Sequence, residues 1–244
     1  MYFQRNNGPF GQRNMFGSGY QYQTLPYGYE GTQSSGLIGK VMGLLSFSFL
    51  FAAIGSFVGL TTIKLTTPGA YLIVAIGGLV VLIALQFLIQ VPGLNLILLY
   101  LFTFLEGLSL SPLLGFYAQN YPDILGEAFL ITAVTAFGLA MYAWTTKRDF
   151  TRIGDYLFVG VLLLLVAGII SIFFPSTFFA FLISVAGVGI FSAYVLFYVQ
   201  RAKYMADTLP NAIGLTVSLF ITVLNLFLYI LRLLSILQGG DRRR

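Results

Sequence analysis

The sequence predicts an all-α integral membrane protein with seven transmembrane helices. Of its 244 residues 58% are hydrophobic and 9% are charged, whereas soluble domains carry about 25% charged residues. Seven apolar segments each approach or exceed the ~20 residues that cross the hydrocarbon core as a helix. Helices satisfy their own backbone hydrogen bonds in lipid. We therefore expect the lipid bilayer to surround most of the chain.

Composition also excludes several classes of function. The chain has no cysteine and no histidine, which excludes disulfides and thiol catalysis and removes the commonest metal ligand. It shows no phosphate-binding loop, dinucleotide glycine pattern or nucleophile elbow. The net charge of +5 is spread over loops and ends, which is typical of membrane topology rather than of nucleic-acid binding. We expect no catalytic residue, no metal centre, no bound cofactor and no nucleic-acid partner.

Residues 1–36 differ from everything that follows. They are rich in Gly, Gln, Asn and Tyr and have no apolar periodicity. Such a segment cannot bury enough apolar surface to offset the entropy lost on ordering, so we predict a disordered N-terminal tail. It has no apolar core of the kind found in secretory signals. The predicted membrane domain spans residues 37–238, and residues 239–244 form a basic C-terminal end.

Each of the seven apolar segments is predicted to form one helix. Five prolines fall between segments, where a missing N–H costs little, whereas Pro112 lies inside the third segment. Gly55 and Gly59 in the first segment favour close packing within the monomer over dimerisation. The predicted helices span about residues 37–60, 70–89, 94–117, 125–145, 156–174, 178–199 and 211–237.

The charges predict a cytoplasmic N-terminus in the cell (inner) membrane. The loops TKRDFTRIGD and QRAKYMAD lie on the N-terminal side and are basic, whereas NYPDILGE and PST on the other side are not. Lys and Arg are enriched in cytoplasmic loops. The terminal arginines at 242–244 argue the other way, because seven spans place them on the side opposite the N-terminus.

Glu106 is the unusual residue of the third segment, within TFLEGLSLSPLLGFY. At about 1.5 Å per residue it lies about 18 Å along the helix, past the middle of a core about 30 Å thick. A charge at that depth costs about 2.5–3.5 kcal/mol, so such carboxylates usually face a polar interior. We favour a functional acid, and the alternative is a protonated, hydrogen-bonded structural residue. Without histidine, any proton sensing would fall to a carboxylate.

The seventh segment carries a stripe of polar side chains. Thr222 and Asn225 share a helix face with Ser218, which predicts that this helix is central in the bundle. Asn225 lies about 19 Å from the start of its segment, level with Glu106 if the two helices run in the same direction. Arg232 lies about 10 Å further along and close to the interface. We expect no ion pair between Arg232 and Glu106.

Three stretches resemble the Bax inhibitor-like family of membrane proteins, also called the transmembrane Bax inhibitor motif family. They are EGLSLSPLL at 106–114, VSLFITVLNLFLYILRLLS at 217–235 and, more weakly, LFYVQRA at 196–202. The resemblance covers about residues 37–238. It implies a fold in which six helices surround a central seventh, and it implies Ca²⁺ as a transported ion.

At two positions the sequence departs from the relatives that resemble calcium leak channels. Those relatives carry an aspartate near the end of the sixth helix and another three residues before the Asn of the last helix. Here these positions hold Tyr198 and Thr222, so the proton-sensing pair implied by the family is missing. Calcium takes about six to eight oxygen ligands, usually with more than one carboxylate. With Glu106 as the only carboxylate, we expect calcium to bind weakly. Weak binding would suit a leak pathway.

Two functions are compatible with these observations, and neither is enzymatic. The first is a pH-sensitive calcium (cation) leak channel with Glu106 as the intramembrane acid. The polar stripe of the last helix would line the pathway, and supporting or gating roles would fall to Ser109, Tyr198 and Arg232. The second is a non-conducting regulator that binds a membrane-bound quality-control protease or another membrane protein, with residues 1–36 as a handle. The oligomeric state stays open.

Overall fold

The computed structural model describes residues 34–63 and 68–241, and most of them are helical. The helices are α1 (Ser34–Val58), α2 (Pro68–Leu88), α3 (Leu94–Asn120), α4 (Pro122–Thr145), α5 (Gly154–Phe173), α6 (Thr177–Ala202) and α7 (Leu209–Asp241). A π-helical turn (Gly59–Ile63) ends α1, and a 3₁₀ turn (Thr151–Ile153) precedes α5. The seven described helices are long and apolar enough to cross a membrane. The chain is therefore an all-α, seven-span membrane protein, as predicted.

Several helices extend past the apolar runs that predict them. α1 begins at Ser34, α6 ends at Ala202 and α7 reaches Asp241, so helix overlaps the predicted tail (1–36) and the predicted basic end (239–244). Apolarity marks only the part within hydrocarbon about 30 Å thick, whereas a helix continues through headgroups to about 40–45 Å. The rest of the tail and residues 242–244 lie outside the described residues.

α7 lies at the centre of the bundle. Of its spanning window 61% is buried, against 11% for the windows of α2 and α5. α1, α3, α4 and α6 pack on α7, whereas α2 packs mainly on α3 and α5 mainly on α6. Phe220 of α7 shows the packing, since its ring centroid lies 5.2 Å from that of Phe49 and 5.9 Å from that of Phe102. The central seventh helix is thus confirmed, with α2 and α5 as the outermost members.

Glycines bring α1 and α3 close together. A Cβ at Gly107 would collide with the backbone of Ala52, and a Cβ at Gly55 would collide with the backbone of α3. Gly59 also faces side chains of α3. Small residues let helix backbones approach, which strengthens the dispersion contacts that hold membrane helices together. Gly55 and Gly59 therefore pack within the monomer, as the sequence favours.

α3 continues through Pro112 because a nearby hydroxyl replaces the lost hydrogen bond. Proline has no N–H, so the carbonyl of Leu108, four residues earlier, lacks its usual donor. Ser111 Oγ donates to this carbonyl at 2.8 Å. The freed acceptor is satisfied, and α3 extends over 27 residues.

Candidate functional site

Glu106 lies near the middle of α3 and turns toward α2. The close contact at the next residue, Gly107, holds this part of α3 against α1. Oε1 of Glu106 lies 3.5 Å from the point that a Cβ of Gly78 would occupy. Gly78 is buried, and the side chain of Glu106 is partly buried. A Cβ at position 78 would therefore be in ordinary van der Waals contact with the carboxylate, which lies where α2 packs on α3.

Two contacts define how α3 and α7 lie side by side. The rings of Phe102 and Phe220 pack edge to face, and Tyr117 Oη and Ser235 Oγ are hydrogen-bonded at 2.7 Å. Both pairs are 118 positions apart in the chain, so the two helices run parallel in one constant register. In that register Glu106 lies level with residue 224, next to Asn225.

The polar stripe of α7 bonds to its own helix. Ser218 Oγ donates to the carbonyl of Gly214 at 3.0 Å, and Thr222 Oγ1 donates to that of Ser218 at 2.7 Å. Asn225 Nδ2 donates to the carbonyl of Ile221 at 2.8 Å. These bonds use both hydroxyl protons and one of the two N–H groups of the Asn225 amide, and they leave the hydroxyl and amide oxygens as acceptors. The stripe can therefore offer oxygen atoms to a cation.

Within the described ranges the structure does not join Glu106 to this stripe. No hydrogen bond or ion pair of the Glu106 carboxylate is found among these residues. The same residues also contain no group of three His, Cys, Asp or Glu side chains that could hold a metal ion. One carboxylate and a few neutral oxygens fall short of the about six to eight ligands that calcium takes. The arrangement can attract a cation but cannot hold it tightly.

The three residues predicted to support or gate the site lie in three different parts of the bundle. Ser109 Oγ donates to the backbone carbonyl of Glu106 at 2.9 Å, so it touches the site through the backbone only. Tyr198 stacks on Tyr194 with ring centroids 5.6 Å apart and packs beside the apolar cluster between α1, α6 and α7. Arg232 lies two turns beyond Asn225 on α7 and forms no ion pair within the described part.

Gln200, which the sequence did not single out, ties the α4–α5 loop to the end of α6. Its Oε1 accepts a hydrogen bond from Phe150 N–H, and its Nε2 donates to the carbonyl of Arg148 and, at 3.5 Å, to that of Ala143. The residue is only 4% exposed. A glutamine in the otherwise apolar LFYVQRA run was the available signal, but its partners lie about 50 residues away in the chain.

Lys203, just past α6, also joins the end of α6 to the end of α4. Its Nζ donates to the carbonyls of Ala143 at 2.9 Å and Trp144 at 2.6 Å and lies 5.1 Å from the centroid of the Trp144 ring. Burial lowers the pKa of Lys203, whereas the free carbonyls at the end of α4 favour its charged form. Gln200 and Lys203 together cap α4 and fix the loop that follows it.

Ser48 of α1 is a second residue that the sequence did not indicate. It is fully buried, and its Oγ has no hydrogen-bond partner within the described residues. A serine on a membrane helix ordinarily bonds back to a carbonyl of its own helix, so the sequence gives no reason to single it out.

Comparison with known proteins places the whole bundle in one family. A family model described as inhibitor of apoptosis-promoting Bax1 matches residues 34–239. An uncharacterised protein of Campylobacter jejuni is 32% identical over 215 residues, which cover 84% of this chain and 92% of that protein. Protein lifeguard 4 of Mus musculus is 29% identical over 201 residues, which cover 80% of this chain and 83% of that protein.

One bacterial relative matches over a shorter region. An uncharacterised membrane protein of Vibrio cholerae is 35% identical over 144 residues, or 58% of this chain. The match spans 64% of that protein, which is less than two thirds of its length.

Proposed function

This chain belongs to the Bax inhibitor-like family of multi-pass membrane proteins, and from this premise we propose that it is a pH-sensitive cation leak pathway. Calcium is the ion that the family resemblance implies. The observation that carries the proposal is the carboxylate of Glu106. It lies in mid-span, level with the polar stripe of α7, and accepts no hydrogen bond from the described residues.

A single intramembrane acid suits a leak better than a binding site. Ionised Glu106 attracts a cation into the low-dielectric interior, and the α7 stripe offers acceptor oxygens at the same level of the bundle. Weak, transient coordination lets the ion leave again, whereas tight binding would slow passage. Protonation removes the charge and with it the attraction, so flux should fall as pH falls.

The test is ⁴⁵Ca²⁺ flux into proteoliposomes that hold the full chain, at two pH values. We expect wild-type flux to decrease at the lower pH. Glu106→Gln should change the flux and abolish this pH dependence, because an amide cannot ionise. Asp155→Asn is the matched control, since Asp155 is exposed in the first turn of α5 and should behave as wild type. An unchanged pH profile in Glu106→Gln would rule the proposal out.

A second candidate is a non-conducting regulator of a membrane-bound protease or another membrane protein. The placement of Tyr198 and Thr222 favours it. At these positions, where leak-channel relatives carry acids, one ring stacks on Tyr194 and one hydroxyl bonds to its own helix. Absence of flux above empty liposomes at both pH values would turn attention to this candidate.

The regulator candidate predicts co-purification with a membrane protease and loss of that interaction when residues 1–36 are deleted. Residues 1–33 lie outside the described residues, so this test rests on the sequence. If binding is retained after the deletion, the partner contacts the loops or the lipid-facing sides of the helices instead.

We place the chain in the cell (inner) membrane with the N-terminus in the cytoplasm. Support comes from the basic residues at the end of the bundle where α1 begins, namely Lys40, Lys147, Arg148, Arg152, Arg201 and Lys203. The opposite end of the described bundle carries Arg232. Because the chain has no cysteine, single cysteines introduced at 119 and 155 can report the side of each loop by labelling with a membrane-impermeant reagent. Labelling of position 155 but not of position 119 in intact cells would show that the orientation is the opposite of the proposed one.

A further inference from the structure

At the end of the bundle opposite the start of α1, the ends of α3 and α7 and the start of α4 border an open pocket of about 250 Å³. We call it the aromatic pocket. This volume exceeds the ~30 Å³ of one water several times but is smaller than the pockets of about 300–1,000 Å³ that hold drug-sized ligands. It suits one small chemical group. Its lining includes Phe116, Tyr117, Tyr121, Ile124, Ser235 and Gln238.

Three aromatic rings form one side of the pocket at different inclinations. Phe116 and Tyr117 lie at 90°, with ring centroids 5.5 Å apart. Tyr121 is tilted by 55° to Phe116 and by 53° to Tyr117, at 6.0 and 6.2 Å. Rings inclined in this way present π faces and edges in several directions around one space. Such faces attract cations, and groups of them form the cages that recognise quaternary ammonium ions.

The opposite rim supplies polar groups and a negative charge. Tyr117 Oη is hydrogen-bonded to Ser235 Oγ, which turns this ring toward the bundle. Gln238 Nε2 donates to Glu127 Oε2, so a carboxylate lies directly beside a lining side chain. Tyrosines that only anchor a helix at the membrane surface would face lipid and water. Here two helices converge on Tyr117, which is partly buried.

We propose that the aromatic pocket binds an organic ammonium group, either free or as the headgroup of a zwitterionic lipid. The rings supply cation–π attraction, and Glu127 supplies the opposite charge. Arg232 lies three residues before Ser235 on α7, one turn nearer the membrane centre. In a zwitterionic lipid the phosphate is deeper than the ammonium group, so Arg232 is placed on the phosphate side rather than against the ammonium. The site is separate from Glu106, which lies about 15 Å away along α3.

The test measures lipid retention by native mass spectrometry on the purified full chain. Phosphatidylcholine and phosphatidylglycerol with identical acyl chains are offered together, and tetramethylammonium is the free competitor. We expect preferential retention of phosphatidylcholine. Tyr121→Leu should weaken it about fivefold, because one cation–π contact in a site open to solvent is worth up to about that factor. Tyr121→Phe keeps the ring and should stay within about twofold of wild type, as should Tyr142→Leu at the other end of α4.

The competitor separates the two sources of the ammonium group. Displacement of phosphatidylcholine by tetramethylammonium shows that the ammonium alone is recognised, and retention without displacement shows that the whole lipid headgroup is required. Equal retention of the two lipids, or equal loss in Tyr121→Leu and Tyr121→Phe, would overturn the proposal. If Tyr121→Leu lowers the thermal stability, Phe116→Leu replaces it, since that ring is already 53% exposed.

Discussion

Gln200 and Glu106 are both polar side chains on apolar helices, but only Gln200 has hydrogen-bond partners among the described residues. Gln200 has its oxygen and its nitrogen bonded to the α4–α5 loop. Glu106 has neither hydrogen bond nor ion pair in the part of the chain that the structure describes. Buried polar groups in proteins are nearly always paired. The paired amide therefore stabilises the fold, whereas the unpaired acid is the residue on which the proposed function rests.

Removal of the paired amide should have the largest effect on stability. Gln200→Leu leaves the Phe150 N–H and the Arg148 carbonyl without partners, and each such loss costs about 1–3 kcal/mol. We expect a loss of about 3 kcal/mol in the free energy of unfolding, measured by reversible denaturation in detergent micelles. Gln90→Leu changes an exposed glutamine in the turn after α2 and should leave stability nearly unchanged. Equal effects of the two substitutions would contradict the structural role of Gln200.

The helices and the depth of Glu106 could be predicted from the sequence, whereas the contacts of Glu106 and Gln200 could not. Apolar runs predict spans because lipid offers the backbone no other partner, and the helical rise places Glu106 level with Asn225. The neighbour of the carboxylate is Gly78 of α2, and this contact depends on how two different helices pack. The role of Gln200 depends on a loop that folds back to it. Contacts between residues far apart in the chain produce no periodic pattern in the sequence.

Removal of the unpaired acid should change the free energy of unfolding in the opposite direction. Glu106→Leu takes away a group that is costly at this depth and breaks no hydrogen bond to the described residues. We expect the free energy of unfolding to rise by about 1 kcal/mol, since leucine avoids the cost of a carboxylate at membrane depth. The same denaturation measurement applies, with Gln200→Leu as the reference. A loss as large as that of Gln200→Leu would mean that Glu106 is structural.

The smallest expected effect concerns the loop that Gln200 holds. Asp149 Oδ1 accepts hydrogen bonds from Thr151 Oγ1 at 2.6 Å and Thr151 N–H at 2.9 Å. These bonds lower the pKa of Asp149, and Arg152, 3.4 Å from Oδ2, adds to the shift. Because the pKa is lower in the folded state than in the unfolded state, the ionised carboxylate stabilises the fold above about pH 4. That contribution is lost as the pH falls through the folded pKa.

Asp149→Asn should therefore be slightly less stable than wild type at neutral pH, and the difference should vanish at acid pH. The side chain of Asp149 is 47% exposed, so water screens its charge and the difference should stay within a few tenths of a kcal/mol. Denaturation curves of both proteins between pH 3 and pH 7 check this. Stability that differs by the same amount at every pH would mean that Asp149 acts through the shape of its side chain rather than through its charge. In that case the loop would depend on hydrogen bonds alone, as it does at Gln200.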